Sequence, residues 1–214
     1  MLPHRPIRIT YAPSASVLRY CIEKPDIADV QPLIVGVADT NAPLVDFEVS
    51  ALWNIFPDAS ILAGEHANRA AFFQAAQHAS FVHVATHAIF RKDNPMFSSF
   101  KLADGYVTAL DLFSMNCQTN LTVLSGCQSG LGEVGESDDL LGLMRGFLYA
   151  GARSLLMSLW SVSDESTVTL MKEFYKEWRT GAGKAKALRK AMLTVRDHYP
   201  NPFHWAPFVL VGKT

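Results

Sequence analysis

Charge is scarce in this sequence. Only 18% of its 214 residues are Asp, Glu, Lys or Arg, against the roughly 25% usual for a soluble domain. The 19 basic and 20 acidic side chains nearly cancel, leaving a net charge of −1. That balance excludes the basic footprint of a nucleic-acid binder and the acidic tail of a solvating segment. Long apolar runs are missing as well: none approaches the roughly 20 residues that cross a bilayer. The opening MLPHRPIRITYAPSASVLRYC holds no apolar signal-peptide core, so a cytoplasmic chain is expected. Cysteine is limited to Cys21, Cys117 and Cys127, too few for a disulfide scaffold and odd in number. Reduced thiols fit that count, with one of them present for its chemistry. No glycine-rich phosphate cradle, internal repeat or low-complexity linker occurs, so one domain over 1–214 without a cofactor is expected. The low charge implies a core-heavy fold or a surface normally covered by something else.

What is present is an alternation of short apolar runs with amphipathic stretches. Strands are expected at 33–37, 81–85, 121–124, 154–160 and 208–212, several apolar on both alternate faces, as in a sheet covered by helices. Helices are expected at 44–56, 68–78, 139–149, 164–179 and 184–197. Asn68 and Ser163 are candidate N-caps, and Gly151 and Gly181 candidate terminators. Asp104-Gly105 between alternating residues marks a hairpin across 100–107. The pattern predicts an α/β fold, a mainly parallel sheet with helices on both faces and a β-hairpin insertion.

Sites in such sheets form beyond the carboxyl ends of the strands. The run 81–85 leads into Thr86-His87-Ala88, and 121–124 leads into Ser125-Gly126-Cys127. A histidine and a cysteine at one sheet edge suffice for acyl transfer, the imidazole promoting the thiolate or protonating the leaving amine. Backbone N–H groups of Cys127 and Ala88 are candidate oxyanion donors. The plainer alternative is a buried cysteine acting as a small hydrophobe and a histidine satisfying a loop carbonyl. His83 and His87 are four apart, but on a strand and its exit rather than a helix, so no metal site is expected. The basic stretch KAKALRK (184–190) reads as a solvated helix face, and His204, Trp205 and Phe208 as packing.

Four ordered segments carry a resemblance: HVATHAIF (83–90), LTVLSGCQSGLGE (121–133), LLGLMRGFLYAGARSLLMSLWSVSDE (140–165) and PFHWAPFVLVG (202–212). Together with ITYAPSAS (9–16) they resemble the CHAT family, caspase-like domains often joined to tetratricopeptide repeats and distantly similar to separase and the caspases. The resemblance implies a caspase-hemoglobinase-like three-layer fold and a cysteine endopeptidase, with His87 as base and acid and Cys127 as nucleophile. It also implies a protein or peptide substrate and an N-terminal repeat or regulatory region that controls activity. The chain is accordingly expected to lack an N-terminal segment.

In caspase-like folds the stretch matching 154–165 pairs with the extended substrate and lines its main specificity pocket. Ser161 and Asp164 are therefore candidate substrate contacts, with Ser125 a further candidate just ahead of Cys127, and Asp164 would favour a basic side chain. Asp164 and Glu165 also suit the first turn of a helix, where the dipole favours acids. The acids Glu133, Glu136, Asp138 and Asp139 follow the nucleophile, as an ordering loop or a solvated one. The family usually carries glycine where this chain has Ala88. That departure and the low charge motivate an alternative, a weak or inactive caspase-like scaffold that docks partners.

Overall fold

The apolar runs become strands whose residues are all buried: β1 (Leu33–Val37), β3 (Phe81–Thr86), β7 (Leu121–Leu124), β8 (Ser154–Ser158) and β9 (Phe208–Gly212). The structure, a computed structural model, describes residues 9, 11–25, 27, 31–40, 42–91, 93–125, 141–160 and 163–214. With the edge strand β2 (Ser60–Ala63) the five form one six-stranded sheet in the order β2-β1-β3-β7-β8-β9. Every pairing is parallel except β8 with β9. A second, antiparallel sheet joins β4 (Ala88–Ile89), β5 (Ser99–Leu102) and β6 (Gly105–Thr108).

Alternate residues of the main sheet feed two cores. On one face Val35, Val82, Val84 and Leu155 pack with α1 (Ala15–Glu23), α3 (Arg69–Ala76), α4 (Ala109–Leu112), α5 (Leu141–Ala150) and the small sheet. On the other, Ile34, Phe81, Val123 and Leu156 pack with α2 (Val45–Ile55), α6 (Asp164–Arg179) and α7 (Lys184–His198). This is a three-layer α/β fold with a hairpin insertion, as the sequence predicts. A sheet covered on both faces accounts for the small share of charge.

Local rules hold at several ends. The Asn68 side chain accepts from Ala71 N–H at 2.9 Å and starts α3. Gly151 ends α5 at φ +127°, and a Cβ there would meet Cys117 O at 2.0 Å, so only glycine fits. Ser163 precedes α6 in extended conformation but makes no side-chain cap; its carbonyl instead accepts from the Ser166 and Thr167 hydroxyls. The strand predicted to Trp160 stops at Ser158, and Leu159 N–H donates to Pro207 O at 2.9 Å. Gly105 is the first residue of β6 at φ +144° rather than part of a turn centred on it.

The small sheet is tied down by a capping box. Asp111 accepts from the Thr108 N–H at 2.8 Å and its hydroxyl at 2.7 Å, and pairs with Arg69 at 3.1 Å. Partial burial opposes ionisation of Asp111, but Arg69 and Thr108 outweigh it and hold the carboxyl below its usual range. Its contribution is therefore present above the ordinary carboxylate pKa of about 4 and is lost as pH falls through the depressed value. Thr108→Ala should lower stability by about 1 kcal/mol in urea at pH 7. Asp111→Asn should also be destabilised at pH 7, with its gap from wild type closing in acid; a gap that widens there would refute the pairing.

Candidate active site

Strand β1 has β2 on one side and the rest of the sheet on the other, so the chain changes direction between β1 and β3. In open α/β sheets a crevice forms at that switch point, beyond the carboxyl ends. The last registered pair there is Val37 with Thr86, and His87 follows immediately. The Thr86 hydroxyl shares its proton between Lys101 O at 2.9 Å and Val37 O at 3.4 Å. Lys101 N–H donates to His87 O at 2.8 Å, and the Lys101 ammonium pairs with Asp39 at 2.8 Å. The hydrogen bond it donates to Asp39 raises the Lys101 pKa, so this clip is charged at neutral pH. The peptide of His87 is thus pinned between the exit of β1 and strand β5. The His87 side chain is buried, 7% exposed.

Ala88 opens β4 opposite Phe100, and its methyl group belongs to the first core. No non-glycine residue with positive φ occurs among the described residues, so an L-residue stands here without strain. Glycine at this position is not demanded by the backbone.

Ser125 leaves β7 beside His87's strand, its N–H donating to Val84 O at 3.0 Å. Cys127 and Ser161 lie outside the described residues, as do Glu133, Glu136, Asp138 and Asp139. Asp164 is the first residue of α6, and its Oδ2 accepts from Leu44 N–H at 3.3 Å. Leu44, Glu48, Thr86, Ser125 and Asp164 all line one cavity of about 10 Å³, room for about one water. Two of the predicted substrate contacts, Ser125 and Asp164, therefore meet beneath the crevice. The other two cysteines are unsuited to nucleophilic attack. Burial pushes Cys117 up to about 12, and burial raises Cys21 despite Lys24 nearby. A larger cavity of about 530 Å³ opens at the opposite edge of the sheet, where Pro32, Ser80 and Asn120 enter the strands. Among the described residues it has no histidine or cysteine in its lining.

One array went unnoticed in the sequence. His83 is fully buried in β3, between Ile34 and Val123 in register. Its Nδ1 lies 3.1 Å from Tyr175 OH; its Nε2 lies 3.0 Å from Glu48 Oε1 and 3.5 Å from Ser125 Oγ. Burial, and then the Glu48 charge, push the Tyr175 pKa well up, so the phenol keeps its proton. A sequence signal existed. Glu48 falls in the apolar stripe Val45, Val49 and Leu52 of α2, where a carboxylate needs a partner.

The basic run also divides. Lys186 and Lys190 pair with Glu177 on the surface, as expected of a solvated face, whereas Lys184 reaches Asn120 O at 2.9 Å and Ser154 Oγ at 2.6 Å.

Comparison with known proteins gives three findings. The CHAT domain profile matches residues 5–213. Tetratricopeptide repeat protein 28 of Mus musculus is 34% identical over 109 residues, 50% of this chain and 4% of the relative. The human protein is 32% identical over the same share. This chain therefore spans only a small part of those relatives' length. Among solved structures, the separase–securin complex of Saccharomyces cerevisiae superposes with a TM-score of 0.67 at 15% identity, covering 97% of this chain and 14% of that one. The Arg-specific cysteine proteinase gingipain R of Porphyromonas gingivalis gives 0.58 at 9% identity, over 86% and 46%. At these identities the likeness concerns the fold, which is caspase-like.

Proposed function

Because this chain belongs to the CHAT domain family, we propose that it is a cysteine endopeptidase in which His87 and Cys127 form the catalytic dyad. The observation that carries the reading is the parallel pairing of Val84 with Leu124. His87 follows Val84 by the same three positions that separate Cys127 from Leu124. Three residues reach at most about 10 Å, and paired strands lie about 4.8 Å apart. A tether of that length is short enough for the two groups to meet, which supports the dyad.

The chemistry follows from the residue types. The Cys127 thiolate attacks the scissile carbonyl, and the C–S bond forms as the carbonyl oxygen takes up negative charge. Backbone N–H groups of Ala88 and Cys127 stabilise that oxyanion. The tetrahedral centre collapses, the C–N bond breaks, and the His87 imidazolium protonates the departing amine. Water, deprotonated by His87, then hydrolyses the thioester. The clip made by Thr86 and Lys101 keeps the His87 backbone from shifting during these transfers.

Ser125, Ser161 and Asp164 bind the substrate side chain that precedes the cleaved bond, and the Asp164 carboxylate selects a basic one. The substrate is a protein of the cytoplasm, and a partner region N-terminal to this domain governs access. The repeat-protein relatives and the separase structure solved with securin support that last element. No helix among the described residues is long and apolar enough to cross a membrane.

An acyloxymethyl ketone peptide ending in arginine tests the reading, with the adduct mapped by mass spectrometry. Cys127 should carry it, and Asp164→Asn should weaken binding of the arginine peptide about 10-fold or more while sparing a neutral analogue. An adduct confined to Cys21 or Cys117, or equal loss for both peptides, would overturn the assignment.

A further inference from the structure

We propose that His83, held between Glu48 and Tyr175, is a positioning residue for the catalytic edge. It fixes Ser125, and with it the point where the chain leaves β7 for Cys127. The inference rests on the reading of Cys127 as nucleophile.

Four elements contribute one group each: α2 gives Glu48, β3 gives His83, α6 gives Tyr175 and the end of β7 gives Ser125. The fold does not need them for burial, since apolar residues would fill the same space without the desolvation of a carboxylate. Their contacts form a continuous chain. The Tyr175 hydroxyl lies 3.1 Å from His83 Nδ1. The other ring nitrogen, Nε2, faces Glu48 Oε1 at 3.0 Å and Ser125 Oγ at 3.5 Å. The Ser125 hydroxyl donates onward to Val84 O at 3.5 Å, and the Ser125 N–H to the same carbonyl at 3.0 Å. The serine is held at both its side chain and its backbone, two residues before the nucleophile.

Glu48 has a second role in this arrangement. Its Oε1 pairs with His83 Nε2 at 3.0 Å, and Glu48 lines the small cavity it shares with Ser125 and Asp164. The array thus reaches the small cavity that Ser125 and Asp164 also line.

Misplacement of a reacting group by about 1 Å lowers rate by about 100-fold while leaving remote binding intact. The full chain and its Tyr175→Phe and Glu48→Gln variants are to be treated with the arginine acyloxymethyl ketone peptide. The inactivation rate at saturation is read separately from the half-saturating concentration. Both variants should lose about 10- to 100-fold in the saturated rate, with half-saturation within about twofold of wild type. Ser14→Ala, which removes the N-cap of α1 on the other face of the sheet, should lower stability and keep the wild-type rate, which separates positioning from loss of fold. Should Glu48→Gln fail to fold, Tyr175→Phe, which removes one oxygen, decides alone. Wild type labelled at Cys127 and variants of equal rate would overturn this proposal only. Wild type unlabelled at Cys127 would overturn the nucleophile assignment, and the positioning role with it.

Discussion

Cys127→Ala should abolish covalent labelling by the electrophilic peptide and all proteolysis, and His87→Ala should lower both by about 10² to 10⁴. The asymmetry has a physical basis. Without the thiol no acyl-enzyme forms, whereas without the imidazole a small thiolate population still attacks. The remaining cysteines cannot substitute. A thiol at about 12, as for Cys117, is ionised in roughly one molecule in 10⁵ at pH 7. Cys21 is buried and also shifted upward. Labelling that survives Cys127→Ala and disappears in Cys21→Ala would end the proposal. So would a stable partner complex, with no labelling, that is indifferent to both Cys127→Ala and His87→Ala; that outcome favours a docking scaffold.

His83→Leu should destabilise the fold by about 3–5 kcal/mol, because the buried Glu48 carboxylate is left without its partner. The Tyr175 hydroxyl, fully buried, loses its acceptor in the same step. Restoring balance should recover much of the loss, so Glu48→Leu combined with His83→Leu should be far less destabilised than His83→Leu alone. Urea unfolding of wild type, both single variants and the double variant measures this coupling. A single-variant cost below about 1 kcal/mol would show that the pair is not desolvated as the structure has it. A recovered double variant that folds but reacts slowly would tie the array to function and not to folding.

Much of this architecture is legible along the chain. The strands expected at 33–37, 81–85, 121–124 and 208–212 are short, mostly apolar runs because both faces are covered, and the helices between them carry one apolar stripe each. Other elements escape such reading for definite reasons. Strand β2 is a half-buried edge of mixed composition, Ser60–Ala63, with no alternation to betray it. Helix α1 is only nine residues long and buries only Cys21, so little of it is held by the core. The Asp-Gly signal marks the hairpin but not its register, because Gly105 begins a strand instead of sitting inside the turn.

The site divides in the same way. His87 is recognisable by type and by its place at a strand exit, and the clip that holds it is not, since Asp39 and Lys101 lie far apart in sequence. In the sequence Asp164 reads first as a helix-dipole acid and second as a substrate contact. Only the fold shows that it also accepts from Leu44 N–H and lines a cavity with Ser125, because those residues are far apart along the chain.

Low charge and an odd cysteine count were determined by the sequence alone, and so were the period of each element and the residue types available for acyl transfer. These are local properties: periodicity records which faces meet water, and side-chain chemistry travels with the residue. Tertiary structure decided which of those residues meet. It set β3 beside β7, so that His87 and the approach to Cys127 share one edge. It also brought Glu48, His83, Ser125 and Tyr175 into one buried array. Such encounters depend on strand order and helix docking, which arise when two cores close on opposite faces of one sheet, and no window of sequence holds both partners of a contact made that way.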